Sequence, residues 1–103
     1  MKKLKGTKLE IKKSTNPKKK WMAIFYDENG KKIKTTHFGA TGFEDYTQHK
    51  DKLRRKIYRS RHSKDLKTND PMKAGYLSYY ILWGESTSLK SNINSYKKRF
   101  NFK

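Results

Sequence analysis

The hydrophobic residues of this chain change their spacing near its middle. Up to about residue 40 they come in short runs and alternations, and beyond about residue 50 they recur every three or four positions. The first spacing belongs to strands and the second to helices. LEI, within Lys8 to Lys12, alternates weakly. STNPKK follows as a turn, punctuated by Asn16-Pro17. WMAIFY, residues 21–26, is a short apolar run suited to a central strand. DENG, residues 27–30, is a hairpin signal, because Asn-Gly tolerates the positive φ of tight turns. In KKIKTTHFG, Ile33, Thr35 and His37 alternate with Lys34, Thr36 and Phe38. Three antiparallel strands are predicted.

GATGFEDYT, residues 39–47, is rich in turn formers and should leave the sheet, delivering Phe43 and Tyr46 into the core. Asp51 can start a helix over Lys52 to about Ser60, with Leu53, Ile57 and Tyr58 on one side. KDLKTN is a polar connection. Asp70-Pro71 reads as a capping residue followed by proline at the first helical position. The helix MKAGYLSYYILW is apolar nearly all round and should be the buried one, ended by Gly84. Ser86, Thr87 or Ser88 can cap a last helix, in which Leu89, Ile93, Tyr96 and Phe100 form an amphipathic stripe. The expectation is an α+β fold, an N-terminal three-stranded antiparallel β-meander followed by three α-helices packed on it. Residues 1–7 would be a basic flexible tail and residues 8–103 a single domain.

Composition sharpens this picture. Seven Tyr, five Phe and two Trp must supply most of the core, since Val, Leu and Ile are few. There is no Cys, which excludes disulfides and thiolate zinc sites. No apolar run is long enough for a membrane span, so no membrane insertion is expected. The basic start lacks the apolar block of a secretory signal, so secretion by a signal peptide is not expected.

Charge changes the picture most. The 103 residues carry 27 Lys and Arg against nine acids, a formal net charge of +18. Such a charge opposes compaction, and a polyanion that binds only the folded chain would stabilise it. Residues 1–20, 51–67 and 91–103 are the basic blocks, separated by near-neutral aromatic ones. Lysine is scattered, whereas four of the five arginines, Arg54, Arg55, Arg59 and Arg61, lie in one short helix, with Arg99 near the end of the chain. On a helix Arg55 and Arg59 share a face with Lys52 and Lys56. That row could follow a phosphate backbone, releasing counterions. Lys2, Lys3, Lys5 and Lys8 suit a flexible arm, and Lys97, Lys98 and Arg99 form a third patch. The rival reading is a solvated face that confers solubility alone. Arginine offers a planar fork that lysine lacks. The expected division of labour is that Arg59 and Arg61 pair with acids such as Glu44, Asp45, Asp70 and Glu85, while Lys52, Arg54, Arg55 and Lys56 face outward.

Catalytic chemistry finds little purchase. His49, Lys50 and Asp51 are adjacent, so their side chains cannot form a phospholipase-like site. His37, His49, His62 and Asp45 lack helical ligand spacing, and no cofactor motif, P-loop or GxSxG is present. Glu44 and Asp45 could hold magnesium in a small nuclease, or cap a turn. Trp21, Phe25, Tyr76, Tyr79, Tyr80 and Trp83 could stack on unpaired bases but are mostly needed for the core.

The order FG, DYT.HKD, RR..Y..RH, DPM.AG.LS…LWG and YKKRF, within residues 37–100, resembles a family of small basic proteins of large nucleocytoplasmic DNA viruses, the giant and algal group. The resemblance implies a viral origin, residence in the virion or viral factory, and a shared role for Tyr46, His49, Asp51, Arg59, Arg61 and His62 in a network joining loop to helix. The expected function is non-enzymatic, sequence-nonspecific binding of nucleic acid, duplex DNA first. The alternatives are a virion structural or interaction protein with acidic protein partners, and the small nuclease.

Overall fold

The computed structural model describes residues 7–103. Three antiparallel strands, β1 (Lys8–Lys13), β2 (Lys19–Tyr26) and β3 (Lys32–Ala40), form one sheet in the order β1-β2-β3. Leu9 pairs with Phe25, and Trp21 with Phe38. Leu9, Ala23, Phe25 and Phe38 therefore lie on one face, where all four are buried. The β2–β3 loop is built on Asp27, whose carboxylate accepts from the backbone N–H groups of Asn29 and Lys31, both at 2.9 Å. Gly30 takes the positive φ, +81°, that the loop requires.

β1 belongs to the sheet, and the end of the chain closes its outer edge. Leu9 N–H donates to the Lys103 carbonyl and Lys103 N–H to the Thr7 carbonyl, both at 2.9 Å. Thr7, expected in the tail, is buried here. Between these bonds Phe102 enters the core, its ring 5.3 Å from that of Phe25.

The helices follow the sheet: α1 (Tyr46–His49), α2 (Lys52–His62), a 3-10 turn (Ser63–Thr68), α3 (Ala74–Leu77) and α4 (Leu89–Phe100). A π-helical turn, Ser78–Leu82, continues α3 directly. The long buried helix expected from Asp70 thus begins later than predicted. Asp70 caps a turn instead, accepting from Met72 N–H at 2.9 Å, and Ala74 is the first helical residue. Ser88 caps α4 through Ser91 N–H. The predicted α4 stripe holds, with Tyr96 and Phe100 buried and Leu89 and Ile93 packed against the core.

That core is aromatic, and its phenols reach carbonyls. Tyr76 donates to Leu66 O at 2.6 Å, and Tyr96 to Pro71 O. One polar side chain is buried beside them. Asn92 donates to the carbonyls of Ile81 (2.8 Å) and Ser86 (2.7 Å) and accepts from Ser86 N–H (3.1 Å). It seals the junction where the chain leaves the π-turn. Gly84 fits the same junction because a Cβ there would lie 2.3 Å from the Tyr80 carbonyl oxygen and 2.8 Å from the Asn92 amide.

Replacing Asn92 by Ala strands one donor and two acceptors, so the variant should lose about 2–3 kcal/mol of stability. Urea denaturation reads this directly, and a loss under about 0.5 kcal/mol would mean that water replaces the amide.

Candidate nucleic-acid interface

The basic helix α2 is set in place by the corner that precedes it. Asp45 caps α1, accepting from Thr47 N–H at 2.9 Å while Gln48 reaches back to Asp45 N–H at 3.1 Å. Its other oxygen takes the Lys20 ammonium at 2.9 Å. Lys50 turns the chain with a left-handed φ of 58°. Asp51 then caps α2 through Leu53 N–H and Arg54 N–H, at 2.9 and 3.2 Å. Asp51 N–H donates to His49 Nδ1 at 2.9 Å. His49 Nε2 is buried and bonds to no protein group, and the ring lies 5.2 Å from that of Trp83. Asp51 thus touches both His49 in the corner and the first turn of α2.

α2 is oriented opposite to its apolar pattern. Leu53 and Ile57, which the sequence pattern puts on one side with Tyr58, are 66% and 49% exposed, and no residue of α2 is fully buried. Its inner side carries Arg55, Tyr58, Arg59 and His62. Arg55 Nε–H donates to the Gly84 carbonyl at 2.6 Å, and its guanidinium lies 5.6 Å from the Tyr46 ring. Arg59 donates to the carbonyls of Trp83 (2.8 Å) and Tyr79 (3.3 Å) and stands 4.0 Å over the Tyr79 ring. The division of labour is corrected accordingly. Arg55 faces inward, and Arg59 meets carbonyls and rings rather than an acid. Arg61 is exposed and makes no hydrogen bond or ion pair among the described residues.

The π-turn makes this attachment possible. Trp83 N–H donates five residues back, to Ser78 O at 3.0 Å. The Tyr79 carbonyl, its partner in an α-helix, is left for Arg59. Cations at a helix C-terminus also meet the negative end of its dipole. Beside them Tyr58 stacks on Trp83, ring centres 4.2 Å apart and planes 5° from parallel, and His62 stacks on Tyr58 at 4.1 Å. His62 is thus a rung of this ladder, its Nδ1 3.0 Å from an Asp65 carboxylate oxygen. It lies at the far end of α2 from the His49–Asp51 corner. Burial, with the Asp65 charge second, pushes the Tyr58 phenol up to about 12.

Of the predicted binding residues, Lys52, Arg54 and Lys56 are exposed on α2, and Lys98 and Arg99 are exposed on the last turn of α4, with Lys97 half-buried. Lys2, Lys3 and Lys5 lie outside the described residues. The two basic segments meet at Tyr80, whose ring lies 5.9 Å from the Arg59 guanidinium and 4.9 Å from that of Arg99. Lys12–Glu10 and Lys20–Asp45 are the Lys or Arg pairs with carboxylates among the described residues. The remaining described lysines and arginines keep their charge uncompensated by a bridge. For the nuclease reading, Asp45 is committed to Thr47 and Lys20. Among the described residues no three His, Cys, Asp or Glu side chains cluster closely enough to hold a metal ion. His37 bonds to Ser14, its Nδ1 2.7 Å from the hydroxyl.

Residues 9–62 match the model of a family of unknown function, DUF5754. The chain belongs to that family. The DUF5754 match runs from β1 to the last residue of α2. It therefore takes in the sheet, the capped corner and the arginine helix, while the carbonyls that Arg55 and Arg59 grip lie beyond it. No curated protein and no solved structure matches the chain.

Two outcomes follow from α2. Arg59→Lys keeps the charge but loses the fork and the stacked plane, and should cost about 1.5–3 kcal/mol of stability. Arg61→Lys should cost under about 0.5 kcal/mol. Urea midpoints that fall equally for both would remove the structural role of Arg59. Separately, Tyr58 holds its proton more firmly in the fold than in the unfolded chain, where the phenol titrates near 10.0. Its contribution is whole below about pH 10 and is lost as pH rises toward 12. Stability measured across that window should fall less steeply in Tyr58→Phe than in the parent.

Proposed function

We propose that this protein binds nucleic acid without regard to sequence and without catalysis, holding duplex DNA through its phosphates. The observation that carries the reading is the meeting of two basic segments around Tyr80. Residues 52–61 and 97–99 are remote in sequence, yet Arg59 and Arg99 share one ring. The exposed Lys52, Arg54 and Lys56 of α2 and Lys98 and Arg99 of α4 have no bridging carboxylate among the described residues. Lysines and arginines arranged in this way suit a regularly spaced row of phosphates, each contact releasing condensed counterions. The resemblance to proteins of large DNA viruses supports viral DNA as the polymer and the virion or viral factory as the setting.

The crest of α2 favours a second reading. Leu53 and Ile57 stand outward between cations, an arrangement that fits an apolar groove with an acidic rim on a partner protein. A phosphate backbone gains nothing from those two side chains.

Fluorescence anisotropy with a labelled duplex at several salt concentrations tests the first reading. Log affinity should fall linearly with log salt, and the Lys52→Ala/Arg54→Ala/Lys56→Ala variant should reduce that slope by about 2–3. Absence of binding at about 100 mM salt would overturn the proposal and leave the acidic-partner reading standing.

A further inference from the structure

The loop between β3 and α1 does not do what its composition suggested. Phe43, expected in the core, is 74% exposed. Gly42, with a φ of +88° and open space around it, turns the chain outward just before it. Phe43 forms the wall of a groove of about 500 Å³, between the end of the sheet and α2. This volume falls within the ~300–1,000 Å³ typical of small-ligand sites. Tyr58, half-buried and stacked on Trp83, lines the same groove. Lys19 and Arg54, both exposed and bridged to no carboxylate among the described residues, also line it.

The acids of this groove bear on what it can hold. Asp45 is neutralised by Lys20, and Asp65 contacts His62. Glu44 is exposed and without an ion-pair partner among the described residues. A simple anion would meet Glu44 unfavourably. An adenine, cytosine or guanine base would not, because its exocyclic amino group can donate to that carboxylate while its flat face covers a phenyl ring. Accessible aromatic faces beside cations are the recurring means of holding single strands.

We propose that this groove takes one unpaired base of a nucleic acid, stacked on Phe43, with the adjoining phosphates held by Lys19 and Arg54. The inference rests on the nucleic-acid reading above and adds to it a preference for single strands, overhangs or frayed ends over continuous duplex.

The test compares the full chain with Phe43→Ala and Phe43→Trp, using labelled single-stranded DNA and duplex of one length at fixed salt. The parent should bind the single strand more tightly than the duplex. Phe43→Ala should weaken single-strand binding about tenfold and leave duplex binding within twofold. Phe43→Trp should restore the affinity and add an indole signal that single-stranded but not duplex DNA quenches. Because Phe43 is exposed, unchanged urea midpoints will show that the variants fold. Equal binding of the two DNA forms, with Phe43→Ala within twofold on both, would overturn this inference and spare the parent reading. If the parent chain binds neither form at about 100 mM salt, both fail.

Discussion

Everything that α2 presents to solvent depends on two arginines donating to three backbone carbonyls. The helix has no fully buried residue, so the hydrophobic effect that fixes α4 gives it little. Arg55 and Arg59 instead reach the open end of the π-turn, at Tyr79, Trp83 and Gly84, and Tyr58 lies flat on Trp83. Partly buried carbonyls without a donor would cost about as much as lost hydrogen bonds. The arginines satisfy them, while the aromatic rings around the guanidinium groups shield them from competing water. The contact is mutual: the π-turn gains its cap, and the helix gains its anchor.

This anchor explains where arginine occurs in a chain that otherwise uses lysine. A lysine is a point charge on a flexible stem and has no planar fork to lay flat on a ring while its donors reach two carbonyls. Arg59 does both. Arg99 approaches Tyr80 from the opposite helix with the same planar group. Arginine in this fold is thus partly an adhesive for aromatic side chains. The net charge overstates the cations available to a polyanion, since Arg55 and Arg59 are engaged before any partner arrives. The exposed cations of α2 gain from it, being carried on a rigid element rather than a loose one.

The sheet was legible because both of its signals are local. Alternation sets the faces and Asn-Gly sets the turn, and neither needs a distant partner. The α4 stripe was legible for the same reason, and Ser88 caps where serine should. The orientation of α2 was not legible, because periodicity identifies an apolar side without saying which way it faces. Inward orientation is an inference from burial energy, and here arginine–carbonyl bonds and a ring stack outweigh Leu53 and Ile57. The acceptors for those arginines are backbone atoms about 20–29 residues away, and no side-chain pattern marks a carbonyl that a π-turn has released. Asp70 illustrates a smaller ambiguity. A capping residue before proline fits a turn as well as a helix, and the turn wins.

Phe43 follows from the same balance. A core built from Tyr76, Tyr96, Phe100, Phe102, Phe25 and Phe38 is already filled by rings contributed from the sheet, from α3, from α4 and from the last residues of the chain. Gly39 shows how closely the end of β3 meets the core, since a Cβ there would lie 2.7 Å from the Leu82 side chain. A further phenyl ring would require expansion of a close-packed interior, which costs more than leaving one ring in water. Gly42 supplies the turn that takes it out. An exposed ring created by saturation of the core needs no partner to explain it. Its place in a groove shared with Lys19, Arg54 and the stacked Tyr58 is what the proposed base-binding role rests on. Packing thus explains why Phe43 is outside, and the cations around it indicate what it would meet there.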